Sequence, residues 1–106
     1  MSKHLLVLTT VPDFKTGRSI ARSLVEGRLC ACATLSAPCQ SMYWWEDKVT
    51  DEEEHTLFIK TRTDLYPELE KKIREHHPYE VPEIIALPLH QGSPAYLKWI
   101  DEVTRP

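Results

Sequence analysis

The segment SMYWWEDK, residues 41–48, decides how this chain folds. Its aromatic first half has the composition of a β-strand, and the polar stretch Glu46-Asp47-Lys48 suits a short hairpin reversal. Beyond an acidic, exposed stretch from Val49 to Glu54, residues 55–62 alternate between two sets of side chains with the period of a strand. The two strands predict a hairpin that is unusually long for a small domain, because most strands run about five or six residues.

The aromatic end of this hairpin predicts an interaction surface. Tyr43, Trp44 and Trp45 are adjacent, and a two-stranded arm offers little protein to cover them within one protomer. Contiguous exposed apolar side chains commonly mark a site of interaction. We therefore expect the chain to associate with copies of itself through this arm.

The segments that precede the hairpin predict a strand, a helix and a second strand. Residues 5–11 form a buried strand, and Asp13 is a suitable N-cap for a helix from Phe14 to Glu26, with Gly27 at its C′ position. Residues 29–35 have the composition of a strand buried on both faces. Ala37-Pro38 then predicts a bulge or a bend, because proline cannot donate to the sheet ladder.

The segments that follow the hairpin predict a helix, a strand and a last helix. Asp64 is a suitable cap for the second helix. Residues 84–87 form a strand that ends at Pro88, so this strand should lie at an edge or carry a bulge there. Ser93-Pro94 begins the last helix. Its expected buried stripe is Tyr96, Leu97, Ile100 and Val103. The order is β-α-β-β-α-β with an extra C-terminal helix, a ferredoxin-like α+β arrangement, in a single domain spanning residues 1–106.

Composition and charge favour a cytoplasmic protein that binds neither nucleic acid nor a membrane. The net charge is −3 and the basic residues are scattered, whereas nucleic-acid-binding domains concentrate positive charge. The apolar run at residues 5–8 is too short to span a bilayer and lacks a signal-peptide cleavage site. Cys30, Cys32 and Cys39 include no Cys-x-x-Cys pair; thiols packed in the core are favoured, and a soft-metal site is the alternative.

Residues 76–83, HHPYEVPE, concentrate the polar chemistry of the chain. Pro78 disfavours a helical His77, so the second helix should end at His76 or His77. Imidazolium groups at a helix C-terminus are stabilised by the helix dipole, which is one interpretation of the two histidines. The other is that their neutral ring nitrogens bind a metal ion, with a carboxylate such as Glu83 completing the shell.

Several segments taken together resemble the CutA divalent-cation tolerance family, and they occur in the right order over nearly the whole chain. They are Leu29-Cys30-Ala31-Cys32, Ser41-x-Tyr43-x-Trp45-Glu46-x-Lys48, Lys60-Thr61, His77-Pro78-Tyr79-Glu80-Val81-Pro82-Glu83-Ile84-Ile85 and Tyr96-Leu97-x-Trp99-Ile100. The resemblance implies a ferredoxin-like fold that assembles as a homotrimer through the long hairpin, with an architecture similar to that of the PII signalling proteins.

The same resemblance implies binding of copper or another divalent cation by His76 and His77. Some family members add a cysteine ligand near the end of the first strand, where this chain has Thr9. A hydroxyl is a poorer copper ligand than a thiolate, so we expect weaker divalent-cation binding through the imidazoles.

Two functions follow, and we expect neither to be enzymatic, because no nucleophile–base spacing and no glycine-rich phosphate loop is evident. The first is divalent-cation binding and tolerance. The alternative is a PII-like signalling or small-ligand-binding adaptor, with a cleft between subunits. The cleft residues would be Tyr43, Trp45, Lys60, Tyr79 and Glu83; otherwise the aromatic residues are interface packing and Lys60 pairs with a glutamate.

Overall fold

A computed structural model describes residues 2–106 as a mixed α+β fold whose long axis measures 44 Å. The strands are β1 (His4–Val11), β2 (Cys32–Leu35), β3 (Cys39–Trp45), β4 (Lys48–Arg62) and β5 (Ile84–Pro88), and the helices are α1 (Phe14–Glu26), α2 (Tyr66–His76) and α3 (Pro94–Val103). None of the helices in this part of the chain is long and apolar enough to cross a membrane.

All strand pairs of the described residues are antiparallel, and the order across the sheet is β2-β4-β1-β5, with β3 paired to β4. The hydrophobic core lies between one face of this sheet and helices α1 and α2. Its members alternate along the strands and recur at helical spacing: Val7, Val11, Leu57, Ile59, Ile20, Leu24, Leu69 and Ile73. This pattern confirms the period-two prediction for the second half of β4.

The long hairpin is confirmed, but its first strand is interrupted. β4 runs for 15 residues and pairs first with β3 and then with β2. Between the pairs Leu35–Leu57 and Cys39–Glu54, three residues oppose two, which is a β-bulge at Ser36–Pro38. Glu46 and Asp47 form the two-residue turn with φ values of 49° and 63°. These angles define a type I′ turn, which matches the twist of the strands but is uncommon without glycine.

Helix α1 has the predicted bounds, but the residue at its C′ position is Arg28 rather than the predicted Gly27. Gly27 has φ −77°, and Arg28 takes the left-handed conformation with φ 58°. The amide of Leu29 then donates to the carbonyl of Leu24 at 3.0 Å, the long hydrogen bond of a Schellman motif. A helix end therefore forms with arginine at the position where glycine is usual.

Two local predictions on the second half of the chain were wrong. Asp64 does not cap α2, because a 3₁₀ turn at Thr63–Leu65 precedes the helix and the Asp64 carboxylate instead accepts from the Arg62 guanidinium at 2.9 Å. In α3, Ile100 is buried, but Tyr96 is 40% exposed, so the expected stripe is only partly covered within one chain.

The strand predicted at residues 29–35 is shorter and less buried than expected. β2 begins at Cys32, and Thr34 is exposed. The reason is topological, since β2 lies at the edge of the sheet and the helix packed against it is α1.

The sheet face turned away from α1 and α2 carries exposed apolar side chains. Leu8 lies in register with both Phe58 and Ile85, and Leu6 lies in register with Leu87. Phe58, Ile85 and Leu87 are 37–50% exposed. We call these five residues the open sheet face.

Candidate functional site

The two adjacent histidines sit where α2 ends and play different roles. α2 ends at His76, and His77 leaves the helix with extended backbone angles, as Pro78 predicted. His76 is exposed, and its Nδ1 lies 3.0 Å from the carbonyl oxygen of Lys72. Because a carbonyl can only accept, Nδ1 carries the hydrogen and Nε2 keeps a free lone pair. His76 therefore presents one accessible nitrogen at the negative end of a helix.

His77 is buried, and both of its ring nitrogens are already hydrogen-bonded. Nε2 lies 2.7 Å from the carbonyl oxygen of Thr10, and Nδ1 accepts from the amide of Tyr79 at 3.1 Å. These partners fix a ring that donates through Nε2 and accepts through Nδ1. A metal ion at either nitrogen would displace one of these bonds. The ring ties the end of α2 to the end of β1.

Tyr79 connects the same segment to the hairpin. Its hydroxyl donates to the Glu54 carboxylate at 2.6 Å, across 25 residues of chain. Partial burial and the bond to this carboxylate raise the pKa of Tyr79 above its ordinary value. The rings of Tyr79 and His77 lie 4.8 Å apart between centroids. The 77–79 segment is thus held at both ends, by β1 and by β4.

Glu54 is the residue of this site that the sequence interpretation missed. The acidic stretch was expected to be exposed, yet Glu54 is only 3% exposed. Its position in the strand alternation places it with Thr56 and Phe58, on the side away from the core. Its burial comes from the Tyr79 segment folding against the hairpin, which no local pattern reports.

A groove of about 850 Å³ opens between the hairpin and residues 78–83. Its walls are formed by the hairpin, including the consecutive residues 41–45 of β3, and by the 78–83 segment, and Thr10 also lines it. Four glutamates and a set of aromatic residues dominate the lining: Glu52, Glu54, Glu80, Glu83, Tyr43, Trp44, Trp45 and Tyr79. Partial burial and the nearby Glu52 charge raise the pKa of Tyr43. We call this feature the acidic groove.

Four of the five proposed cleft residues line the acidic groove, and the fifth lies elsewhere. Tyr43, Trp45, Tyr79 and Glu83 are among the lining residues, whereas Lys60 is not. Lys60 donates to the Thr34 hydroxyl at 3.1 Å. It lies six positions along β4 from the groove residue Glu54, roughly 20 Å at the usual rise per residue.

Thr9, the position at which the family resemblance implies a cysteine ligand in some members, faces the core. It is 0% exposed, and its hydroxyl has no hydrogen-bond partner within residues 2–106. Among those same residues, no group of three or more His, Cys, Asp and Glu side chains converges to hold a metal ion. The described residues therefore offer a metal ion at His76 no site of three or more such side chains.

The sequence of this chain matches a family model and several known proteins. The family model described as "CutA1 divalent ion tolerance protein" matches residues 5–103. Protein CutA of Mus musculus is 45% identical over 95 residues. The match covers 90% of this chain and 54% of that protein, so this chain spans about half of the relative's length. The divalent-cation tolerance protein CutA of Thermus thermophilus is 42% identical, and the match covers 93% of this chain and 96% of that protein.

Solved structures agree with the sequence comparison. The Thermus thermophilus divalent cation tolerance protein has a TM-score of 0.94 at 41% identity, over 96% of this chain and 99% of that one. The CutA1 of a psychrotrophic Shewanella has a TM-score of 0.96 at 37% identity, over 99% and 98%. A structure from Archaeoglobus fulgidus, described as a periplasmic divalent cation tolerance protein, has a TM-score of 0.91 at 33% identity, over 94% and 97%.

Proposed function

This chain belongs to the CutA1 divalent ion tolerance family, and on that basis we propose that it binds Cu²⁺ or a similar divalent cation through the free Nε2 of His76. The observation that carries the proposal is the exposed His76 ring at the end of α2, with its Nδ1 held by the Lys72 carbonyl. A hydrogen bond to one nitrogen orients the other toward a metal, and the negative end of a helix favours a cation. The family is named for tolerance of divalent ions rather than for a reaction, so we propose binding and no catalysis.

We expect His77 to contribute less to metal binding than His76. Both of its nitrogens hold protein partners, so binding a metal would cost one of those bonds. With His76 as the main protein ligand and Thr9 enclosed in the core, we expect weak affinity. The ring must be unprotonated to bind, because only a neutral imidazole nitrogen offers a lone pair to a metal ion.

A titration with Cu²⁺ and with Zn²⁺ by calorimetry tests the metal proposal. His76→Ala should abolish the tightest binding event, and His77→Ala should weaken it less once a melting curve has shown that the variant is folded. His90→Ala is the matched control, because His90 is an exposed histidine elsewhere on the chain. Equal Cu²⁺ affinity for wild type and His76→Ala would disprove the assignment.

We also propose that the chain assembles as a homotrimer of ferredoxin-like protomers. The sheet order and the all-antiparallel pairing support the ferredoxin-like description. Two apolar surfaces support association, because exposed apolar patches commonly mark interaction sites. One is the open sheet face. The other is on the hairpin, where the side chains of Met42, Trp44 and Val49 are each more than 60% exposed.

Sedimentation equilibrium tests the assembly. Phe58→Glu should shift the protein toward monomers, because it buries a charge in the proposed interface. Val25→Glu is the control, since Val25 is 42% exposed on α1, away from the open sheet face. A folded wild-type monomer at micromolar concentration would refute the trimer.

A cytoplasmic location is part of the proposal. The relative from Archaeoglobus fulgidus is described as periplasmic, so location within the family needs a direct measurement. Fractionation of cells that express the chain with a C-terminal tag would decide it.

The second candidate function is a PII-like signalling or small-ligand-binding adaptor. The observation that favours it is the acidic groove, whose volume of about 850 Å³ falls in the range of small-molecule sites. Its aromatic walls and fixed carboxylates are the usual elements of such sites. Ligand-induced stabilisation in a thermal-shift screen of charged metabolites tests this function.

A further inference from the structure

We propose that helix α3 is a releasable cover over one end of the open sheet face, held in place by polar contacts rather than by the hydrophobic core. When α3 detaches, the rest of the fold stays closed and the open sheet face becomes longer. This inference goes beyond the proposed functions and is independent of metal binding at His76 and of the acidic groove.

The first argument is the position of α3. His4 and Arg62 are register partners on β1 and β4, and strand alternation places them on the same side of the sheet as Leu6 and Phe58. Phe58 is exposed, but His4 and Arg62 are both buried. Helix α3 packs against β4, and its Asp101 carboxylate reaches the ring of His4. Helix α3 therefore covers one end of a face whose other end is open.

The second argument is the small apolar contact beneath α3. Ile100 is the one fully buried side chain that this helix contributes among the described residues. It does not belong to the core cluster that residues 2–106 form between the sheet and helices α1 and α2. Tyr96 and Trp99 of the same helix are exposed. Elements with few buried apolar contacts open at a lower free energy than the whole fold, so α3 should open first.

The third argument is a charged contact at the middle of α3. The Asp101 carboxylate accepts from His4 Nε2 at 2.9 Å and from Lys3 Nζ at 3.4 Å. The Lys3 side chain is 70% exposed and that of Asp101 is 31% exposed, so dissolved ions can screen this contact. The hold on the helix should therefore weaken as the salt concentration rises.

The fourth argument is the backbone of Arg28. Its φ of 58° is unfavourable for a residue with a Cβ atom and is usually taken by glycine. The Arg28 guanidinium donates to the Val103 carbonyl at 3.0 Å, at the C-terminus of α3, where carbonyls lack partners within the helix. The Arg28 carbonyl accepts from the Arg105 amide at 3.0 Å. Strained conformations persist where surrounding contacts hold them, so an arginine at a position that suits glycine ties the end of α3 to the end of α1.

Native-state hydrogen exchange of the full chain, measured by mass spectrometry at one protomer concentration, tests the proposal. The amides of α3 should exchange faster than those of β1 and β4, and about 1 M KCl should accelerate α3 alone. Asp101→Asn should accelerate α3 by roughly 3- to 30-fold and leave both strands unchanged. Glu102→Gln is the matched control, because Glu102 is the exposed neighbour on the same helix and loses the same charge near the same helix end. It should change the exchange of α3 by less than about twofold.

Arg28→Gly separates the hold on α3 from the stability of the whole fold. Glycine fits the left-handed backbone, so relief of strain should offset the lost contact and the urea midpoint should change little. The exchange of α3 should still accelerate, because the Val103 carbonyl loses its donor. Arg22→Gln is the control, since Arg22 is an exposed arginine of α1 that pairs with Glu26 and should leave α3 unchanged.

Each result supports or overturns the proposal. If the α3 amides of the wild type exchange as slowly as those of β1 and β4, the helix opens only with the whole fold and the proposal fails. Equal acceleration by Asp101→Asn and Glu102→Gln would overturn it, and so would unchanged α3 exchange in Arg28→Gly. If neither variant folds, the salt series on the wild type decides: acceleration confined to α3 supports the cover, and its absence overturns it.

Discussion

Replacing Thr9 with valine should stabilise this protein. The Thr9 side chain is 0% exposed, and its Oγ1 has no partner within the described residues. Enclosing a hydroxyl without a hydrogen bond costs about 1–3 kcal/mol. Valine has nearly the same shape, replaces the hydroxyl with a methyl group and keeps a β-branched residue in the strand. We expect a gain of about 1 kcal/mol in the free energy of unfolding, the lower end of that range.

Urea denaturation measures this gain. A change of about 1 kcal/mol corresponds to a rise of roughly 0.5–1 M in the urea midpoint, for slopes near 1–2 kcal/mol per M. The slope itself should stay the same, because the surface exposed on unfolding does not change. All variants must be compared at one protomer concentration, since association contributes to apparent stability.

Thr61→Val is the matched control for this prediction, with the opposite expected sign. Thr61 is also 0% exposed, but its hydroxyl donates to the Leu29 carbonyl at 2.7 Å. The same substitution there leaves a buried carbonyl without its donor and should lower stability by about 1–3 kcal/mol. If Thr9→Val is destabilising by a similar amount, the Thr9 hydroxyl has a partner in the folded assembly, and the argument from an unsatisfied group fails.

Two further predictions concern the tyrosine and the thiols. Tyr79→Phe should lower stability by about 1–2 kcal/mol, because Glu54 loses its donor. Since the folded-state pKa of Tyr79 is raised, its contribution to wild-type stability is complete below about pH 10, the unfolded value. This contribution is lost as the pH rises further toward the folded value. The urea midpoint of the wild type should therefore fall across that alkaline range, and the part of the fall that is due to Tyr79 should be absent in Tyr79→Phe. Burial raises the pKa of Cys30 to about 12, so iodoacetamide at pH 8 should label Cys32 and Cys39 in the native protein well before Cys30. Mass spectrometry of the digested protein reads this order, and labelling of Cys30 at an equal rate would contradict the buried position.

The sequence predicted those elements whose signals are local. Helix α1 has the predicted bounds because its cap residue and its apolar spacing both lie within the segment: Asp13 accepts from the Thr16 amide at 2.7 Å. The end of α2 followed from the steric effect of Pro78 on His77. The second half of β4 followed from a strict alternation. In each case the determining contacts join residues within about four positions of each other.

Features that depend on distant contacts were not predictable in the same way. The burial of Glu54 depends on Tyr79, which is 25 residues away. The hydrogen bond from His77 to the Thr10 carbonyl joins residues 67 positions apart, and it separates the roles of two histidines that look alike in the sequence. Asp64 is a different case, because its competing partner is local: the guanidinium of Arg62, two residues away, binds the carboxylate that was expected to cap α2. A local pattern reports which side chains are able to interact, and the fold selects among the available partners.

The unbroken course of β4 has a mechanical consequence. One continuous strand belongs to the central sheet at Arg62 and to the outlying hairpin at Lys48, while the opposite side of the hairpin is interrupted at Ser36–Pro38. Bending the hairpin relative to the central sheet would have to distort β4 itself, so we expect the hairpin to move rigidly with the sheet rather than to rotate about a hinge. A force applied at the Glu46-Asp47 turn would thus be transmitted along a single backbone directly to the strand that holds the core together.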